Sequence, residues 1–143
     1  MPAPLTRAYA AFLGALTPDA IPPACRDVAR LGFIDSLGVL LAGRAEPVVT
    51  ALLAALRAEG MAGDVPALLG AARLPAAAAA LVDATAAHAL DFDDFAFSNH
   101  PSAVIVPAVL AAGACAGADG ARLVAAYVAG YEVWCDLFLR EPD

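Results

Sequence analysis

A chain of 143 residues fits one domain or a part of a larger one, and it is long enough to bury a core. Its net charge is −7, it has no lysine, and its eight basic residues are all arginine. That balance excludes nucleic acid and anionic membrane surfaces as partners, since both require clustered positive charge. Hydrophobic residues make up 62% of the chain, much of it alanine, the strongest helix former, so composition alone points to an all-α fold.

Read in order, the chain is a series of helices separated by proline and glycine. Thr6–Leu16 forms the first and stops at Thr17-Pro18. Its apolar run after Arg7 is short and lacks a small-x-small cleavage site, which argues against secretion and for a cytoplasmic protein. Pro22-Pro23 opens a second helix, Ala24–Leu41, whose stripe of Val28, Leu31, Ile34, Leu37 and Leu41 predicts the face turned to the core, with Gly43 as its C-cap. Pro47 begins a third helix that runs to about Glu59. Asp64–Gly70 is the one candidate strand, and Pro66 weakens it.

Pro75 begins an alanine-rich helix that runs to about Leu90, and Asp91–Asn99 breaks the pattern. Ser102 is the expected N-cap of the next helix, Ala103–Ala116. The apolar stretch Ala103–Ala118 is interrupted by Pro107 and falls short of the roughly 20 residues that span a bilayer. Asp119 is placed to cap a final helix that runs to about Arg140 and shows Leu123, Tyr127, Gly130, Tyr131, Trp134 and Phe138 on one side. Arg140-Glu141-Pro142-Asp143 does not read as a natural finish, and the aromatic helix before it predicts missing chain or a partner subunit. Cys25, Cys115 and Cys135 follow no metal spacing and read as reduced thiols, some of them buried.

Chemistry concentrates between His88 and His100, a segment holding both histidines of the chain with Asp91, Asp93 and Asp94. His88 and Asp91 share a face if the helix reaches that far. A carboxylate beside an imidazole fixes its tautomer, which suits acid–base work. His100 stands just before a helix, where catalytic side chains are often carried. The plainer readings are a satisfied core histidine at position 88, and solvated or turn aspartates at 93 and 94. Asp and His in this pattern can ligate Mg²⁺ or Fe²⁺, but the spacing is loose, and the expectation is no metal. Ser102 lacks a Gly-x-Ser-x-Gly setting, and Gly60 and Gly63 are isolated, so neither a hydrolase nucleophile nor a phosphate loop is present.

His-Ala-Leu-Asp-Phe-Asp-Asp (88–94), then His100-Pro101-Ser102 and a proline-containing apolar helix, resembles the MmgE/PrpD (2-methylcitrate dehydratase-like) family. Ile34-Asp35-Ser36-Leu37-Gly38-Val39 with Leu41-Ala42-Gly43, Leu68-Leu69-Gly70, and Gly130-Tyr131-Glu132-Val133 follow as further landmarks in the same order. The resemblance implies that residues 1–143 are the amino-terminal part of a large helical domain, bundle-like and with at most one short strand. The rest of that domain and a smaller α/β domain are then absent. It also implies a homodimer, no cofactor and no metal, and proton transfer beside a carboxylate of a small di- or tricarboxylic acid: dehydration, decarboxylation or epimerisation. By motif, Asp91 and His100 match active-site positions. His88, Asp94 and Ser102 beside them stand as substrate-binding candidates.

Two departures qualify this. The family's site also draws on a later histidine and on lysines, which this chain lacks, and the loop Phe95–Asn99 is slightly shorter than in some relatives. The isolated chain is therefore expected to be inactive, and the alternative is a degenerate helical module that only dimerises or scaffolds.

Overall fold

The computed structural model describes residues 4–141. Within them lie six helices: α1 (Leu5–Ala15), α2 (Pro23–Gly43), α3 (Pro47–Ala58), α4 (Ala76–His88), α5 (Pro101–Ala116) and α6 (Gly120–Arg140). Proline stands at the first turn of α2, α3 and α5, where its missing N–H is no loss. Asp119 caps α6 as expected, accepting from the Arg122 backbone N–H at 2.9 Å. The expectation of at most one strand is corrected. Val65–Ala67 (β1) pairs antiparallel with Ala72–Leu74 (β2), Val65 opposite Leu74. Its tip turns through left-handed Leu68 and Leu69, and buried Asp83 of α4 accepts the Leu68 N–H at 2.6 Å.

The alanine helix α4 is the hub and packs against α2, α3, α5 and β1. Ala78, Ala79, Val82, Ala86 and Ala87 are buried, and such small side chains allow neighbouring backbones to come close. Gly43 shows how close: a Cβ there would collide with the Ala86 carbonyl. Gly43 is thus the last helical residue of α2 and a contact point, in place of the left-handed cap expected; among glycines, positive φ falls at 60, 70 and 117.

The face assigned to α2 is also corrected. Val28, Leu31 and Ile34 are 68, 65 and 67% exposed and Leu41 is 46% exposed, while Ala29, Ser36, Leu40 and Gly43 face inward. Small residues suit the tight seam with α4 and α6, which turns the large side chains outward. The aromatic side of α6, expected to lie open, is largely covered. Tyr127 is buried beside Phe33, and Phe97 packs against Tyr131 and Phe138 with ring centroids 6.1 and 5.6 Å apart. None of the cysteines is buried: Cys25 and Cys115 are exposed and Cys135 is half-buried. Pro142 and Asp143, part of the end expected to be unnatural, lie outside the described residues. No single described helix is long and apolar enough to cross a membrane; the α2–α3 pair, bent by 82°, reaches that length and composition only when its two helices are taken together.

Candidate active site

The site forms where α4 ends and α5 begins. His88 is the last residue of α4, and the Asp91 N–H returns to its carbonyl at 3.1 Å with Asp91 in a left-handed conformation (φ 55°). The segment then closes a small hairpin through two hydrogen bonds between Ala96 and Asn99, with Phe97 and Ser98 both at positive φ. Three non-glycine residues in that conformation cost roughly 1–3 kcal/mol each, and such strain persists where surrounding contacts over-determine it. His100 follows as the residue preceding α5, and Pro101 sets the helix direction.

Asp93 is the centre of the arrangement, although it reads in the sequence as a solvated acid. Its side chain is only 1% exposed and lies between the two imidazoles: His88 Nδ1 is 3.0 Å from Oδ1 and His100 Nδ1 is 3.1 Å from Oδ2. A buried carboxylate requires such partners. His88 Nδ1 is assigned as the donor, since an ionised carboxylate only accepts. The His100 contact is close but lies too far off the N–H direction to be a hydrogen bond, and it becomes an ion pair only when the imidazole is protonated. The opposite nitrogen, Nε2, stands 3.7 Å from Asp91 Oδ1, and Asp91 itself is exposed. The two imidazole centroids are 4.5 Å apart, and Phe95 meets His100 edge-on at 5.3 Å. Contrary to the core-histidine reading, the His88 side chain is 52% exposed.

His88 and His100 line a cavity of about 370 Å³ with Val48, Thr85, Asn99 and Val104, and no arginine among its lining residues. His88, Asp91, Asp93 and His100 each offer a ligand atom within 4.8 Å of the others, so these four could hold a divalent transition metal.

The remaining candidates turn elsewhere. Asp94 points away from Asp93 and accepts from the Ser102 backbone N–H at 3.0 Å and from Ser102 Oγ at 2.8 Å. Ser102 is the second residue of α5, so it is not the cap, and it is buried; Asp94 caps the helix from the loop. Both were candidates for holding substrate, yet they bind each other, and Asp94 borders a different cavity between α2 and α6. Residues 7–142 match the MmgE/PrpD N-terminal domain.

The chain belongs to the MmgE/PrpD family.

No curated protein matches this MmgE/PrpD chain significantly. Its landmark segment 88–102 is the one whose loop places Asp91, Asp93 and both histidines together. Sequence reasoning missed Asp93, which reaches His88 only because Asp91 takes a left-handed turn, and Tyr127 and Tyr131, which arrive from a distant helix.

Proposed function

We propose that this chain supplies the acid–base half of a lyase or isomerase site that moves a proton beside a carboxylate of a small di- or tricarboxylic acid, as in 2-methylcitrate dehydratase. The observation that carries the reading is His100, 24% exposed at the cavity edge, with one ring nitrogen against the buried Asp93 carboxylate and the other turned to Asp91. His100 takes or returns the proton, the negative Asp93 stabilises the imidazolium formed, and Asp91 orients the imidazole or a substrate group. His88 completes the support of Asp93. This step needs no metal, and chelation should leave the rate unchanged.

The enolate-like charge formed beside the carboxylate needs fixed positive partners. The cavity lining has none, and Asp91 and Asp93 stand beside His100, so a cationic half is needed that this cavity does not supply. By itself the chain should not turn over 2-methylcitrate or cis-aconitate. We place the protein in the cytoplasm as a homodimer. The outward Val28, Leu31 and Ile34 support the dimer and also favour the second reading, a scaffold without catalysis. The two readings separate in the chain extended by its downstream segments. His100→Ala should then lower turnover by about 10²-fold or more and Asp91→Asn should also be damaging, whereas a scaffold would show no turnover to lose.

A further inference from the structure

We propose that Tyr127 and Tyr131 of α6 are positioning residues for His100, acting through Ser102 and Asp94. The functional meaning of this rests on His100 as the acid–base group; the geometry does not.

The hydroxyls form a chain with a direction. Ser102 Oγ donates its single proton to Asp94 Oδ2 at 2.8 Å, so the 2.7 Å contact between Ser102 Oγ and the Tyr127 hydroxyl must be donated by the tyrosine. Tyr131 donates to the same Asp94 oxygen at 3.2 Å, and the Ser102 N–H binds the other oxygen at 3.0 Å. Asp94 is thus held at both oxygens. Asp94 adjoins Asp93, and Ser102 lies two residues beyond His100, so the network ties together the two backbone segments that bring Asp93 and His100 into contact. Burial and the Asp94 charge push the Tyr131 hydroxyl up to about 12, which keeps it a donor at neutral pH. Burial also raises Tyr127.

Room for this arrangement is built into α2. A Cβ at Gly32 would lie 2.5 Å from the Tyr127 hydroxyl, so a side chain there would force that hydroxyl to move. Neither tyrosine lines the cavity that holds the imidazoles, so neither is placed to touch what binds in it. Their effect on chemistry must pass through Asp94 and Ser102.

The two histidines make the test direct. Imidazole nitrogen NMR spectra of the 143-residue chain would be compared with those of Tyr127→Phe and Tyr131→Phe, which keep the ring and lose only the hydroxyl. His88, on α4, shares Asp93 with His100 but makes no contact with the network, so it is the comparison. The expected result is a clear change in the His100 signals, a smaller one in those of His88, and retained helical circular dichroism. Gly32→Ala should reproduce the Tyr127→Phe signature. If Tyr127→Phe does not fold, Tyr131→Phe, whose side chain is only half-buried, decides. Unmoved His100 signals in the folded variants, or His88 signals that move as far as those of His100, would overturn the proposal. In the extended chain, kcat should fall by roughly 10- to 100-fold with KM little changed, the size expected from a misplaced catalytic group. A His100 shift together with a fully active His100→Ala variant would sink the acid–base reading and leave the positioning role intact.

Discussion

Asp93 of the polar segment Asp91–Asn99 and the side chains Val28, Leu31 and Ile34 of α2 have exchanged the environments their hydropathy suggests. Asp93 is 8% exposed, whereas Ile34 is 67% exposed. The difference lies in partners. Asp93 accepts from His88 and lies against the His100 imidazole, and its neighbour Asp94 accepts from a backbone N–H and two hydroxyls, so both carboxylates keep polar partners away from water. Val28, Leu31 and Ile34 stay exposed, while the close seam of α2 with α4 and α6 is made by Ala29, Ser36 and Gly43. Burial at these two places therefore follows steric fit and the partners at hand more than side-chain hydropathy.

The sharpest way to break that comparison uses two adjacent residues. Leu40 is 1% exposed and Leu41 is 46% exposed. Leu40→Ala should destabilise the chain by about 2–5 kcal/mol in urea unfolding, as expected for a leucine cut out of a packed core, and Leu41→Ala by under about 1 kcal/mol. Equal losses would mean that the outward face of α2 is wrongly assigned. Asp94→Ala comes next. It strands the Ser102 N–H and two hydroxyls, and denaturant titration should record a loss of roughly 2–3 kcal/mol.

A smaller effect should appear with pH. The folded-state pKa of Tyr131 lies above its ordinary value, up to about 12, so the unfolded chain ionises this group first. Its contribution is complete below about pH 10 and is lost as pH rises from there toward 12. Tyr131→Phe should flatten the alkaline limb of a stability-versus-pH curve over that window. The smallest change in stability is expected from Ile34→Asp, within about 0.5 kcal/mol, because the site is exposed. The same substitution should shift the chain toward monomer in light scattering if the α2 face is the dimer surface.

Most element positions were legible in the sequence because their signals are local: Pro23 and Pro47 open helices, Asp119 caps one, and Gly117 closes one. The second strand was not, since Ala72-Arg73-Leu74 has neither β-branched nor aromatic residues and owes its form to pairing with β1. The face of α2 was misread because its leucine stripe is a good helical period, and period alone does not say which neighbour is present. At the site, His88, Asp91 and His100 converge as their motif suggested. The opposite directions of Asp93 and Asp94 were hidden, because they depend on the left-handed turn at Asp91 and on hydroxyls brought by α6.

The central claim is that His100, braced by buried Asp93, moves a proton at carbon. The most direct measurement is the uptake of solvent deuterium beside the carboxylate of 2-methylcitrate or cis-aconitate, in D₂O, by the chain extended with its downstream segments. The account predicts uptake by the parent protein and a rate lower by about 10²-fold or more in His100→Ala, with the fold retained. Undiminished uptake in His100→Ala would contradict it.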